Sequence, residues 1–291
     1  MNSRRGFTLI ELLFSLFMMV IVAGGIYTLM VTVYRVTRTH TEISKVQGNL
    51  RAGMELTKSE LQEIYTDAAT GASDIVSGTA TAITYSSMRG IGETCGITPG
   101  GGAVQIRQSS YSGRIPEQGR DILWLFQDRD TLVSTDDVWL PKPITGVAAG
   151  TCTILPADPS WDLAVPSLVA AEVIDPVGGV DPLVHTPGPI RTAETMEMGL
   201  VTDAGDDWLG IRSVSGLEAA LTPVMGPLET GGVDFRYLDG GNVPTGTMSA
   251  VKSIVLKLRG ISPELVHTGL GSALATKTDS VVVRVHLRNS R

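Results

Sequence analysis

Glu11 is the one charged side chain between Phe7 and Tyr34, at the edge of an otherwise apolar run. A carboxylate beside hydrocarbon is costly to leave unpaired, so such an acid reads as functional, and its natural chemistry is pairing with a cation. The bland alternative is a Glu that snorkels or protonates without a partner. Elsewhere the chemistry-bearing residues are sparse. His40, His185, His267 and His286 are scattered, and HExxH, GxSxG and Walker patterns are missing from the sequence. Gly90-x-Gly92 followed by Gly96 lacks dinucleotide-binding spacing and reads as a loop. Asp203, Asp206 and Asp207 offer the oxygen ligands that calcium takes, but without EF-hand spacing they read as a solvated acidic turn. Trp124, Trp139, Trp161 and Trp208 read as core or loop anchors. The two cysteines, Cys95 and Cys152, would form a disulfide in an exported domain, and with no CxxC a redox or zinc role is not expected. These residues predict no catalytic, metal or cofactor site, and hence a chain that is not an enzyme.

Charge narrows the partners. Residues 67–291 carry 16 basic and 25 acidic side chains, a net of -9, whereas residues 1–66 carry 7 basic and 5 acidic ones. Phosphate binding needs clustered Lys and Arg, so this balance argues against a broad nucleic-acid or anionic-lipid face on the larger part. With 43% hydrophobic and 18% charged residues the composition is globular rather than disordered.

Two kinds of element must position these residues. The stretch Leu12–Tyr34 is uncharged, free of proline and long enough to cross a bilayer as a helix. Ala23, Gly24 and Gly25 are its weak point, and also small enough to let another helix approach. Beyond it, Ile43, Val46, Leu50, Met54, Leu61 and Ile64 fall on one helical face. The spacing predicts one helix from about Thr8 to Tyr65, its second half packed on a sheet. Gly48 and Gly53 interrupt the propensity locally. All fifteen prolines lie at or after Pro99, and the remainder reads as short strands with Gly- and Pro-rich turns. Expected strands are Ala82–Ser86, Val104–Ser110, Asp121–Gln127, Val138–Leu140, Thr151–Leu155, Gly232–Leu238, Val251–Leu258 and Ser280–Leu287. Residues 156–190, with seven prolines, read as an irregular excursion or a few short strands, not a second domain. The fold expected is α+β: one long amino-terminal helix on an antiparallel sheet-rich head.

The segment GFTLIELL, Gly6–Leu13, resembles the processing motif of type IV pilins and type II secretion pseudopilins. It follows Arg4-Arg5 and precedes the apolar run, the reverse of an ordinary secretory signal. The resemblance implies cleavage after Gly6 by a prepilin peptidase and methylation of the new amino-terminal Phe7. It also implies pairing of Glu11 with a neighbouring subunit's amine during assembly. The organisation that follows is a leader (1–6), a membrane and assembly helix (7–34), an amphipathic extension (35–66) and an exported head (67–291). GRDILWLF at Gly119–Phe126, VDFRYLDGGN at Val233–Asn242, AVKSIVLKLRG at Ala250–Gly260 and VVVRVHLRN at Val281–Asn289 resemble the larger minor pilins of the PilW and J-pseudopilin kind.

The expected function is that of a PilW-like minor pilin in the inner membrane, with a cytoplasmic amino terminus and later a place in the pilus. Its implied partners are prepilin peptidase, other minor and major pilins or pseudopilins, and the inner-membrane assembly platform. The rivals are a J-type pseudopilin of type II secretion and, from another class, a membrane-anchored exported enzyme or binding protein.

Overall fold

The computed structural model describes residues 8–66, 71–98, 102–127, 138–166, 187–267, 273–287 and 289–290. Gly6, Phe7, His185 and most of the proline-rich excursion lie outside the described residues.

Helix α1 runs unbroken over Leu9–Leu61, about 80 Å at a rise of ~1.5 Å per residue. Thr8 caps it, Lys58 complements the dipole in its last turn, and it ends at Gln62. Its first part is exposed. From Glu42 onward one face is buried, at Glu42, Val46, Leu50, Gly53, Thr57 and Leu61. The predicted stripe is present, with Ile43 and Met54 partly buried and Ile64 continuing it just past the helix end.

The strands follow in chain order. They are β1 (Tyr65–Thr66), β2 (Ile75–Gly78), β3 (Ala82–Thr98), β4 (Ala103–Arg107), β5 (Ser112–Gly113) and β6 (Asp121–Gln127). Next come β7 (Val138–Pro143), β8 (Gly146–Thr151), β9 (Pro159–Ala164), β10 (Pro189–Asp203), β11 (Asp206–Ser213) and β12 (Thr222–Leu238). The last are β13 (Ser253–Ile261), β14 (Val266–His267), β15 (Leu274–Ala275), β16 (Thr278–His286) and β17 (Asn289–Ser290). The main sheet is ordered β16-β13-β12-β11-β10-β3-β4-β9-β8, with β6 and β7 branching from β10. Its pairings are antiparallel, and the parallel β1–β17 pair lies apart from it. Alternation makes the buried face: β6 alternates buried and half-buried side chains, and so does most of β13.

Two apolar clusters result. One seats Val46, Leu50, Leu61 and Ile64 against Met198, Leu209, Leu256, Leu258 and Val285. The other packs Val104, Ile106, Leu123, Leu125, Ile144, Leu163 and Ile190. The helix meets the sheet closely because glycine stands on both sides. A Cβ on Gly53 would lie 2.7 Å from Met225, and one on Gly260 would lie 2.9 Å from Val46. Gly53 therefore trades helix propensity for this approach.

The fold class is the expected α+β arrangement, but several strand readings need correction. Gly90, Gly92 and Gly96 are not a loop: they lie within β3, where a Cβ at Gly90 would collide with Tyr111. Strand β4 ends at Arg107, and Gln108–Ser110 form a 3-10 turn. Thr151–Leu155 is not a strand, since β8 ends at Thr151. Cys152 N–H donates to Asp158 O and Asp158 N–H to Leu155 O, turning the chain back into β9. Strands β10 and β11 have no counterpart in the expected set, although β10 is central. Their junction is a two-residue turn with Ala204 and Gly205 both at positive φ, 52° and 95°. Asp203 and Asp206 close that turn as a pair, while Asp207 belongs to β11, its Oδ2 accepting from Gly231 N–H at 2.9 Å.

Candidate functional site: the head of the apolar helix

Glu11 is held by a capping box. Thr8 N–H and Thr8 Oγ1 each donate to Glu11 Oε2 at 3.0 Å, and Glu11 N–H donates to Thr8 Oγ1 at 3.3 Å. The T-x-x-E spacing before an apolar run is a sequence signal for this box, one that the motif reading passes over. The box orients the carboxylate toward the positive end of the helix dipole, where anions are favoured. It occupies Oε2 and leaves Oε1 without a hydrogen bond among the described residues. Glu11 is thus pre-oriented at the helix tip with one oxygen open to a second partner.

Behind Glu11 the helix is built for an apolar medium. Its most apolar window has a mean hydropathy of 2.4, and none of that window is buried within the chain. Its hydroxyls are satisfied by its own backbone: Ser15 donates to Leu12 O at 2.9 Å, Thr28 to Gly25 O at 2.8 Å and Thr32 to Thr28 O at 2.8 Å. Internal satisfaction of this kind is what a lipid-facing helix requires. Gly24 and Gly25 stay helical, and a methyl group on either would meet nothing among the described residues, so their smallness relieves no contact there.

The head holds its chemistry-bearing residues differently. Cys95, in β3, and Cys152, just after β8, are joined with a Cα–Cα separation of 5.2 Å. Glu194 on β10 is 2% exposed, and three arginines converge on it. Arg89 donates at 3.0 Å and Arg114 at 3.4 Å, with Arg120 closer still. Burial raises the Glu194 carboxyl, but hydrogen bonds from Ser213, Arg120 and Arg89 outweigh it and hold it below its usual range. Asp121, paired with Arg114 at 2.6 Å, is pushed up by burial. Sequence reasoning misses this cluster, because its members are scattered along the chain between Arg89 and Ser213. The four tryptophans stand on strands: Trp161 meets Tyr111 edge-on at 5.1 Å, and Arg191 stacks on Trp139 at 3.7 Å. No group of three or more His, Cys, Asp or Glu among the described residues is arranged to hold a metal ion.

Among known families, the prokaryotic N-terminal methylation motif matches residues 1–27. Comparison with curated proteins and with solved structures returned no match. The matched motif, together with the exposed apolar helix that begins within it, supports the type IV pilin and pseudopilin class, and implies processing by prepilin peptidase and association with other pilins.

Proposed function

We propose that this chain is a minor type IV pilin of the PilW kind, anchored in the inner membrane by α1 with its head exported. Prepilin peptidase cuts after Gly6 and methylates Phe7. The new amine then lies four residues before Glu11, and Glu11 pairs with the amine of a neighbour while the apolar helices pack together. The head contacts other minor pilins and takes part in initiating the filament on the assembly platform. In this reading the chain carries no enzymatic step of its own. The observation that carries it is an exposed apolar stretch of helix whose single acid is oriented at the tip with one oxygen unused, within a methylation motif that matches residues 1–27.

The test is the intact mass and amino-terminal peptide of the protein from cells with active prepilin peptidase. The expected product begins at methylated Phe7. A membrane-bound chain retaining Met1–Gly6 would overturn the reading. Deletion in the native host separates the two subtypes: loss of surface pili with secretion intact supports the minor pilin. Loss of secretion with pili intact would assign a J-type pseudopilin instead, the second reading that the shared helix physics favours.

A further inference from the structure

The head is not attached to α1 at an arbitrary height. Going up the helix toward its amino terminus, Leu50 and Val46 meet Gly260 near the end of β13. Gln47 then donates to Asp279 Oδ2 at 3.1 Å. Next, Ile43 faces Lys277 and Thr278 across a small cleft. Finally Arg38 pairs with Glu264 at 2.7 Å. Strands β13 and β16 therefore end toward the apolar span, at the pair Ile261↔Thr278, and the chain between them continues further that way. That continuation carries the two-stranded hairpin β14–β15, paired Val266↔Ala275 and His267↔Leu274. Partial burial follows the same helix face through Thr39 and Arg35 to Val31, within the span itself.

The height can be stated in ångströms. Arg38 lies four residues past Tyr34, about 6 Å along the axis, whereas the headgroup layer on each side of a bilayer is roughly 5–7 Å deep. The Arg38–Glu264 pair thus sets the base of the hairpin within the headgroup layer when α1 spans the membrane. Val266 is 1% exposed and faces inward. The neighbouring positions along the ladder face outward, and there Leu265 and Leu274 are 51% and 54% exposed. Two leucines on one outward face are an apolar surface at the depth of the lipid interface, where apolar side chains can reach the acyl boundary.

We infer that the outer face of the β14–β15 hairpin rests in the lipid interface of the unassembled protein, so that α1 and the hairpin hold the head on the bilayer at two points. This rests on the proposed membrane anchoring by α1. The acidic head gains little from anionic headgroups, so the contact is apolar rather than electrostatic.

The test uses the full chain in phosphatidylethanolamine–phosphatidylglycerol vesicles at low protein density, with a nitrobenzoxadiazole dye on one introduced cysteine. The sites are Leu265→Cys, Leu274→Cys, Tyr27→Cys within the span, and Val243→Cys. Val243 lies in the β12–β13 connection, at the opposite end of β13 from the hairpin. The expected result is blue-shifted emission at Leu265 and Leu274, lost on adding headgroup-level spin-labelled lipid, with deep quenching at Tyr27 and neither effect at Val243. If Tyr27 is quenched but both hairpin dyes behave like Val243, the head stands off the membrane and the inference is wrong. If Tyr27 is not quenched either, anchoring itself fails and takes the inference with it. A blue shift that appears only at high protein density and ignores the lipid quencher would assign the face to a second copy of the chain, which also overturns it.

Discussion

Glu11, beside an apolar run, and Glu194, buried in the head, are treated by the chain in opposite ways. Glu194 is buried and answered from within by Arg89, Arg114 and Arg120. Glu11 is exposed at the tip of α1, and among the described residues only Thr8 answers it. The leucines follow the same division: Leu50 is 3% exposed against the sheet, while Leu13 is 63% exposed. The head satisfies its buried acid and its core leucines from within the same chain. The first half of α1 finds no such partners among the described residues, and its apolar surface suits lipid or other helices. The difference separates what holds the molecule together from what it is for.

The comparison can be broken or sharpened by measuring head stability, as chemical unfolding of the full chain in detergent, in variants of each region. The largest loss is expected from the double variant Cys95→Ser/Cys152→Ser. Opening a loop of 57 residues removes about 4 kcal/mol in the chain-entropy account. Glu194→Gln comes next, at about 3 kcal/mol, because it removes the buried carboxylate on which three arginines converge. This variant also has a pH signature. The Glu194 carboxyl is held below its usual value of 4.5. Its stabilisation is therefore fully present above that value and is lost as pH falls through the lower folded value. The variant should lack this acid-side slope. Asp121, raised by burial and also by the Glu194 charge, acts in the opposite sense, so the difference between the two proteins reports the coupled Glu194–Asp121 pair.

Leu50→Ala should cost about 2–3 kcal/mol by leaving a cavity between helix and sheet. Leu13→Ala should stay within about 0.5 kcal/mol. Equal losses for these two leucines would show that the span also packs on the head. The smallest effect on head stability is expected from Glu11→Gln, with no resolvable change in the unfolding midpoint. That variant should instead reduce incorporation into filaments, scored by immunoblot of sheared filaments. A shifted unfolding midpoint, or unchanged incorporation, would remove the special status given to Glu11.

Much of the helix is readable in the sequence because its signals are local. The absence of charge from Leu12 to Tyr34, the spacing of Val46, Leu50 and Leu61, and the T-x-x-E box each lie within a few turns of helix. Strand β16 is readable for a similar reason, since Val281, Val283 and Val285 alternate with Val282, Arg284 and His286, an apolar face against a mixed one. The centre of the sheet is not. Strand β10 reads PIRTAETMEMGLVTD, whose Glu194 and Glu197 look like surface positions until Arg120 and Arg212 are brought beside them. The Asp-Ala-Gly-Asp turn marks a hairpin there, yet by charge alone it reads as an acidic loop. The glycines of β3 mislead for a related reason. They suggest flexibility in sequence, but in the fold Gly90 and Gly92 make room for Tyr111, whose hydroxyl is paired with Thr192 at 2.6 Å.

By itself the amino-acid sequence determined the processing motif, the apolar span with its single acid, the helical stripe and the α+β class. Each depends on residues close together in the chain, where spacing alone sets geometry. Tertiary structure decided the strand order around β10, the arginine cluster on Glu194, the bond between Cys95 and Cys152, and the height at which the β14–β15 hairpin is tied to α1. Those features join residues that are distant in the chain, and only the folded sheet brings them within reach of one another.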